Sequence, residues 1–306
     1  MQPIRAVIDT DPGLDDAVAI LFALASPAFE VLGITTVAGN IGLGTVTRNA
    51  GRLLAVAGRA DVPVIAGAAG PLVRKGFDSS EIHGADGLGG VALPEPLAEA
   101  QAGAVDWLAA LLAAEPAGTV DLLTLGPLTN LARLVTDHPA AARRIRRVIA
   151  MGGAVNDRGN VGPRAEFNIA ADPEAADIVL GAGLPMTLIP LDVTRQVRAD
   201  AAWCGRLRAS GRPGAAACAA LVEAYFASTT VTGALAESRP LHDPCVMLLA
   251  EAPGFFGCDA MGLAVDLGEA PDAGALNPDT RRPAVQVAQR VDAAGALALL
   301  AGRLTA

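Results

Sequence analysis

Four aspartates lie within eight residues near the N-terminus, namely Asp9, Asp11, Asp15 and Asp16. Carboxylates this close repel one another unless a positive charge lies among them, and their oxygens suit a hard cation such as calcium or magnesium. The helix dipole would explain an acid in a first helical turn, and so Asp15 or Asp16 alone. It would not explain four acids after a buried strand, because burying several uncompensated carboxylates is costly. The cluster therefore predicts a metal site at the end of the first strand, and with it an enzyme.

A second feature combines a histidine with another aspartate. Asp243 followed by Pro244 is a typical helix start, with Asp as the N-cap and Pro at the first helical position. That pattern does not account for His242, one of three histidines in the chain. A lone histidine is more often structural than catalytic, so both interpretations stay open at this point.

A third feature is the stretch 159–168, which contains Asn160, Glu166 and Asn168. Amide groups and a carboxylate in a loop suit the hydroxyls of a sugar. A solvated loop with an Asx-turn is the structural alternative.

Short runs rich in Val and Ile alternate with longer helical patterns, and these elements must position the polar residues. The predicted strands are Arg5–Asp9, Phe29–Ala38, Val62–Ala66, Val120–Leu125, Arg147–Met151, Met186–Leu191, Gly262–Leu267 and Ala284–Val291. The predicted helices are Leu14–Ser26, Thr45–Ala57, Ala104–Glu115, Leu128–Val135 and Pro173–Leu180, with a helical segment over 199–250 and a closing helix. This alternation predicts an α/β fold, a mainly parallel central sheet with helices on both faces in a Rossmann-like open arrangement.

Ligands of such sheets bind beyond the carboxyl ends of the strands. Several polar or glycine-containing stretches follow predicted strands in this way. They are Asp9–Asp16, Asn40, His83, Gly126–Asn130 and Met151–Gly153. We therefore expect one site at this edge of the sheet.

Composition narrows the function further. The chain has 306 residues, 52% apolar and 18% charged, which argues against disorder and predicts a single domain over 1–306. A net charge of -9 disfavours nucleic acid and anionic membranes as partners. The apolar run Ala17–Ala25 is too short to span a bilayer, and the first residues have no signal-peptide layout. The four cysteines form no CxxC pair or zinc spacing, so we expect a reducing, cytoplasmic location.

An ordered set of motifs resembles the nucleoside hydrolases of the inosine–uridine-preferring type, and together the motifs span most of the chain. The matching blocks are Asp9-Thr10-Asp11-Pro12-Gly13-Leu14-Asp15-Asp16, Ile34-Thr35-Thr36-Val37-Ala38-Gly39-Asn40, Ile82-His83-Gly84, Gly126-Pro127-Leu128-Thr129-Asn130, Met151-Gly152-Gly153, Ala165-Glu166-Phe167-Asn168 and His242-Asp243-Pro244. The resemblance implies that a ribonucleoside and water give ribose and free base.

The resemblance also implies a role for each matching residue. It implies a tightly bound Ca²⁺ held by Asp11, Asp16, Asp243 and the backbone carbonyl of Leu125, with Asp11 as the base that takes a proton from the attacking water. His242 would protonate or hydrogen-bond the departing base, and His83 would lie on the base side. The residues expected to contact the substrate are Asp15, Asn40, His83, Met151, Asn160, Glu166, Phe167 and Asn168. A homodimer or homotetramer is implied as well.

One stretch departs from the family pattern. Members often carry aromatic residues on the helix before His242, whereas here no further ring occurs between Phe226 and His242. The preferred base therefore stays open.

Two other functions fit parts of the sequence. In an aspartate-nucleophile phosphatase, Asp9 would attack phosphate and Asp11 would act as the acid; the one lysine, Lys75, is far from any matching motif. A calcium-dependent nucleoside- or sugar-binding protein without catalysis would use the same ligands, with no acid–base role for Asp11 or His242.

Overall fold

A ten-stranded sheet runs through the described part of the chain. The computed structural model describes residues 2–227 and 237–306. Its strands are β1 (Ile4–Thr10), β2 (Phe29–Thr36), β3 (Val64–Ala66), β4 (Gln101–Ala102), β5 (Val120–Thr124), β6 (Arg147–Met151), β7 (Met186–Ile189), β8 (Arg198–Asp200), β9 (Ser238–Pro240), β10 (Phe256–Val265), β11 (Leu276–Pro278) and β12 (Ala284–Val291). Its helices are α1 (Leu14–Ala25), α2 (Leu43–Val56), α3 (Ser80–His83), α4 (Ala104–Ala114), α5 (Thr129–Asp137), α6 (Pro139–Ala142), α7 (Phe167–Ala171), α8 (Pro173–Gly181), α9 (Leu191–Thr194), α10 (Ala201–Ala209), α11 (Pro213–Ala227), α12 (Pro244–Glu251) and α13 (Ala293–Thr305).

The mainly parallel sheet predicted from the sequence is confirmed. The strand order is β11-β10-β12-β7-β6-β5-β1-β2-β3-β4, and every pairing from β12 to β4 is parallel. Among the described strands of this sheet, β10 is the one that runs antiparallel to both of its neighbours, β11 and β12. The two antiparallel pairings lie at one edge of the sheet. The central strands all run in one direction, so their carboxyl ends lie together at one end of the sheet.

Helices cover both faces, because the side chains of the central strands alternate between two apolar clusters. Ala6 and Ile8 of β1 belong to one cluster, which also contains residues of α1, α10, α11, α12 and α13. Val7 belongs to the other, with residues of α4, α5 and α8. The α1 residues from Leu14 to Ala23 are all buried, since the helix packs against α11, α12 and α13 as well as the sheet.

The predicted elements differ from the observed ones mainly at their ends. The strand predicted over Met186–Leu191 ends at Ile189, because Pro190 precedes the short helix α9. The strand predicted over Gly262–Leu267 begins earlier in the structure, at Phe256. The sequence did not reveal its first half, because those residues are only partly buried and form no continuous apolar pattern. The helical segment predicted over 199–250 also contains β9, which pairs with β8 in a separate two-stranded sheet. Among the described residues, no helix combines the length and apolar character that a membrane span requires.

Asp172 joins three segments on one face of the sheet. Its buried carboxylate accepts hydrogen bonds from the backbone of Ala175 (3.1 Å), at the start of α8, from the backbone of Leu72 (2.9 Å) and from Thr129 Oγ1 (2.7 Å). Asp172 is therefore a structural residue, as its N-cap position before α8 also indicates.

We predict that Asp172→Ala lowers the free energy of unfolding by about 2–4 kcal/mol, because it removes a helix cap and leaves two further donors without their acceptor. Asp200→Ala is the matched control, since the exposed Asp200 caps α10 through the single backbone donor of Trp203 (2.7 Å). That loss should be about 1 kcal/mol. Urea unfolding midpoints of the two variants measure the difference, and equal losses would contradict the bridging role of Asp172.

Candidate active site

The acidic residues singled out in the sequence converge at the carboxyl edge of the sheet. Asp11 follows β1, Asp15 and Asp16 lie in the first turn of α1, and Asp243 precedes α12. Carboxylate oxygens of Asp15, Asp16 and Asp243 lie within 4.8 Å of one another, and all three side chains are buried. In the described chain this tight group includes Asp15, which the resemblance assigned to the ribose, and does not include Asp11.

Asp16 is held by three donors. Thr10 Oγ1 donates to its Oδ1 (2.6 Å), while the backbone of Gly13 and Asn40 Nδ2 both donate to its Oδ2 (3.0 Å each). Asn40 Nδ2 also donates to the backbone carbonyl of Asp11 (3.1 Å). Asn40 lines the cavity, but its side-chain amide donates to Asp16 and to the backbone of Asp11. In this structure it therefore holds the two aspartates in position.

Asp11 lies in a space that only glycine neighbours allow. Its Oδ2 accepts a hydrogen bond from the backbone of Asn40 (2.6 Å), whereas its buried Oδ1 has no hydrogen-bond partner in the described chain. A Cβ atom at Gly39 would lie 2.2 Å from Oδ2, and one at Gly126 would lie 2.2 Å from Oδ1. These contacts are far inside van der Waals distance, so both loops need glycine to approach the carboxylate.

Burial raises the pKa of Asp11, Asp15 and Asp243. It raises the pKa of Asp15 to about 7, with repulsion from Asp16 as the next cause. The pKa values of Asp11 and Asp243 also rise well above the usual range, through burial and then through the charges of the neighbouring aspartates. A cation among these oxygens would remove the repulsion and return the carboxyl groups to their charged form. The orphaned Oδ1 of Asp11 and the repelling carboxylates therefore fit a metal ion.

The backbone carbonyl of Leu125, the other predicted metal ligand, lies at the end of β5. It accepts a hydrogen bond from Asn168 Nδ2 (2.6 Å), and the same amide contacts the backbone carbonyl of Met151 (3.2 Å). Leu125, Asn168 and Met151 all line one cavity. Asn168 thus joins the ends of β5 and β6.

Both site histidines have their Nδ1 atom engaged by the protein. His83 Nδ1 accepts a hydrogen bond from the backbone N–H of Leu14 (3.0 Å), and His242 Nδ1 lies 2.7 Å from Thr194 Oγ1. Burial lowers the pKa of His83 to about 4 and that of His242 to about 3, with Arg195 and Arg198 adding to the second shift. Both rings are therefore neutral near pH 7 and offer a neutral N–H rather than an imidazolium.

Glu166 acts in the structure as the N-cap of α7. Its carboxylate accepts hydrogen bonds from the backbone of Asn168 (2.9 Å), Ile169 (3.2 Å) and Gly153 (2.8 Å). Asn160 Oδ1 accepts from the backbone of Phe167 (2.9 Å), which leaves its amide hydrogens for other contacts. The solvated-loop alternative is thus wrong for Glu166, which is buried, because the loop packs onto the sheet edge.

A cavity of about 610 Å³ brings the predicted residues together. It is lined by Asp15, Asn40, His83, Leu125, Met151, Asn160, Glu166, Phe167, Asn168, His242 and Asp243. Asp11 and Asp16 lie behind this lining and are fully buried. The volume suits a ligand of nucleoside size.

The phosphatase alternative is wrong for this structure. Asp9 is buried beneath the cavity and does not line it. Its Oδ1 accepts hydrogen bonds from Thr35 Oγ1 (2.5 Å) and Asn130 Nδ2 (2.8 Å), which ties β1 to β2 and α5. These hydrogen bonds hold the Asp9 carboxylate between elements of the core, so Asp9 is a structural residue.

Several cavity residues escaped sequence reasoning. Tyr225 stacks on His83 with ring centroids 6.4 Å apart, and the Arg239 guanidinium lies 5.2 Å from the centre of the Tyr225 ring. Phe77 packs edge-to-face on Phe167, at 5.5 Å. Tyr225 is the one tyrosine of the chain and directly precedes Phe226, a signal that could have identified it. Residues 228–236, where family members often carry rings, lie outside the described part.

Residues 6–298 match the family of inosine-uridine preferring nucleoside hydrolases. The chain belongs to this family. The pyrimidine-specific ribonucleoside hydrolase RihA of Salmonella typhimurium is 41% identical over 250 residues, which are 82% of this chain and 80% of that protein. The predicted membership is thus confirmed, and with it the prediction of an enzyme, since nucleoside hydrolases hydrolyse N-glycosyl bonds of ribonucleosides.

Solved nucleoside hydrolases share the whole fold. The plant nucleoside hydrolase PpNRh1 superposes with a TM-score of 0.91 at 34% identity, covering 100% of both chains. The purine-preferring ribonucleoside hydrolase from Gardnerella vaginalis gives a TM-score of 0.92 at 30% identity, covering 98% of both chains. The likeness therefore extends over the whole fold.

We predict that Gly126→Ala lowers ribonucleoside hydrolysis on the order of 100-fold, because the new methyl group must displace the Asp11 carboxylate and small displacements of a reacting group are costly. Gly44→Ala is the control, since a Cβ at Gly44 of α2 has no atom within 4 Å. Initial rates of both variants with one nucleoside measure the effect. Equal rates would show that the Asp11 position does not matter to the reaction.

Proposed function

We propose that this nucleoside hydrolase cleaves the N-glycosidic bond of ribonucleosides with the help of bound Ca²⁺, giving ribose and free base. The observation that carries the proposal is the set of groups that line one cavity. Buried carboxylates meet there, and two neutral histidines line the same cavity together with an aromatic ring. A nucleoside offers partners for both kinds of group, a polyhydroxyl sugar for the carboxylates and a planar base for the rings.

The carboxylates suit the reaction as well as the substrate. Breaking an N-glycosidic bond builds positive charge on the ribose ring, as in other glycoside hydrolysis. Preorganised negative groups stabilise that charge more than they stabilise the neutral substrate. Asp15, which lines the cavity, and Asn168, which joins two strand ends, would contact the ribose. Asn40, Asn160 and Glu166 would complete the ribose pocket.

The residues that would hold calcium are Asp11, Asp16, Asp243 and the carbonyl of Leu125. The close approach of Asp15 to Asp16 and Asp243 makes Asp15 a further oxygen donor for the ion or for the sugar bound beside it. A bound calcium ion would orient the ribose diol and make a nearby water more acidic.

Asp11 is the proposed general base. The backbone of Asn40 donates to Oδ2, and the glycines at 39 and 126 let two loops approach the carboxylate closely. Its other oxygen, Oδ1, is the one without a partner and would accept the proton of the attacking water.

Base preference is proposed more coarsely, as a purine or pyrimidine nucleoside. One relative at 41% identity is named pyrimidine-specific, and one at 30% identity is named purine-preferring. Tyr225, His83 and Met151 provide stacking and apolar surface that any planar base can use. Uridine is therefore the first substrate to test, with inosine as the purine comparison.

We further propose one catalytic domain over 1–306, a cytoplasmic location and a homodimer or homotetramer. The four free cysteines, three of them buried, support a reducing compartment. The oligomer follows from the family resemblance. Light scattering of the purified chain would measure it.

We predict that the protein releases reducing sugar from uridine or inosine and that Asp11→Asn lowers kcat on the order of 100-fold or more while KM changes little. An amide keeps the size of the carboxylate but cannot accept the proton. Reducing-sugar and free-base assays measure both quantities. Binding of nucleosides without turnover by the unmodified protein would favour the non-catalytic alternative, and an Asp11→Asn variant within a few-fold of the parent would remove Asp11 from the base role.

We predict about one calcium ion per chain, because the clustered carboxylates need a counterion. Elemental analysis of protein purified without added metal measures the content. Calcium added to stripped protein should raise the melting temperature, since saturation at 100 times Kd stabilises by about 2.7 kcal/mol. Asp16→Asn should weaken that rise, and Asp200→Ala should keep it. Full activity in rigorously stripped protein would contradict the prediction.

A further inference from the structure

His242 is contacted from a separate element by a buried hydroxyl. Thr194 is the last residue of α9, the short helix that follows β7 at the carboxyl edge of the sheet, and it is fully buried. Its Oγ1 lies 2.7 Å from His242 Nδ1. The two residues are 48 positions apart, so this contact exists only in the folded chain.

The direction of this hydrogen bond follows from the surroundings. Within residues 2–227 and 237–306, His242 Nδ1 is the one hydrogen-bond partner of Thr194 Oγ1. If Nδ1 carried a hydrogen and donated it, the buried hydroxyl hydrogen would have no acceptor, which is costly. The hydroxyl therefore donates to Nδ1. A neutral imidazole with a lone pair on Nδ1 carries its hydrogen on Nε2.

His83 shows the same arrangement with an unambiguous donor. A backbone N–H can only donate, so the contact from Leu14 requires a lone pair on His83 Nδ1 and a hydrogen on its Nε2. His83 and His242 both line the cavity. The protein thus fixes the same tautomer twice, once through the main chain and once through a side chain that mutation can change.

We propose that Thr194 is a positioning residue that holds His242 as its Nε2–H tautomer, so that the ring donates a hydrogen bond to the nucleobase as it departs. This inference rests on the proposed function. When the C1′–N bond breaks, its electron pair goes to the base, and an N–H donor stabilises that developing negative charge. The opposite tautomer would present a lone pair to the same charge and repel it. Thr194 itself does not line the cavity and acts through His242.

The test compares leaving groups. Thr194→Val keeps the branched shape without the hydroxyl, and Thr194→Ser restores the hydroxyl. Uridine leaves poorly and needs the donor, whereas p-nitrophenyl riboside leaves readily as an anion. We expect Thr194→Val to lower kcat on uridine on the order of 10- to 100-fold, with kcat and KM on the nitrophenyl substrate within about threefold of the parent. Thr194→Ser should recover most of the uridine rate.

Thr124→Val is the matched control. Thr124 lies at the end of β5, is fully buried like Thr194, and its Oγ1 has no hydrogen-bond partner in the described chain. The same substitution there removes a hydroxyl that holds nothing, so both substrates should react at parental rates. Parallel losses in the two variants would assign the effect to buried polarity in general and overturn the proposal.

The variant His242→Ala distinguishes a failure of this inference from a failure of the proposed function on which it rests. If the parent protein hydrolyses neither uridine nor inosine, the proposed function fails. If His242→Ala slows uridine selectively but Thr194→Val slows both substrates equally or neither, only the role of Thr194 fails. In the supporting case Thr194→Val adds no further loss to the His242→Ala variant, because the hydroxyl then has no ring to orient.

A spectroscopic measurement tests the tautomer without turnover. The chain has three histidines, so their ¹⁵N resonances can be assigned by single substitutions. The parent should show His242 with an unprotonated Nδ1 and a protonated Nε2. Thr194→Val should shift the His242 signals toward a mixture while those of His83 stay unchanged. A pure Nε2–H tautomer in Thr194→Val would overturn the proposal.

Discussion

The mutual repulsion of buried carboxylates is the constraint on which this structure depends. Asp15, Asp16 and Asp243 have oxygens within 4.8 Å of one another, and Asp11, which has an oxygen without a hydrogen-bond partner in the described chain, is close enough to be affected by the charges of Asp15 and Asp16. The raised pKa values of Asp11, Asp15 and Asp243 express the cost of placing such charges together in a dry interior. A fold that keeps these carboxylates together needs a cation to neutralise their charge. It also needs rigid surrounding elements that hold the side chains in place against their repulsion.

The frame is built from donors and from close backbone approach. Thr10, Gly13 and Asn40 donate to the aspartates, while Gly39 and Gly126 allow two loops to enclose Asp11. These groups come from the ends of β1, β2 and β5, which are adjacent in the sheet. The parallel strands therefore also build the site, because the loops that follow their carboxyl ends all lie at the same end of the sheet.

The histidines complete the polarity of the cavity. In each ring the lone pair of Nδ1 accepts a hydrogen bond from a protein donor. Each ring is neutral because burial lowers its pKa. The cavity lining therefore combines carboxylate oxygens that accept hydrogen bonds with histidine N–H groups that donate them. Tyr225 stacks on His83 and has Arg239 against its ring. Acceptors and donors in one cavity suit a reaction that separates positive charge on a sugar from negative charge on its leaving base.

The sequence by itself determined the local features. A largely apolar run predicted Arg147–Met151 with its observed bounds, because a strand buried on both faces needs no alternating pattern. Ala284–Val291 was also predicted with its observed bounds, and its first four residues alternate between exposed and buried. Clustered carboxylates likewise predicted a charged site beside β1, since adjacent residues cannot avoid one another. The start of β10 at Phe256 was missed, because partly exposed residues carry no periodic signal.

Only the tertiary structure decided which distant groups meet. Leu14 and His83 are 69 positions apart and Thr194 and His242 are 48 apart, so no spacing rule could pair them or reveal the tautomers that they fix. The same holds for Glu166, whose carboxylate caps α7, and for Tyr225, whose ring stacks on His83. Hydrogen bonds and ring contacts depend on positions within a few tenths of an ångström, and chain folding alone sets those positions.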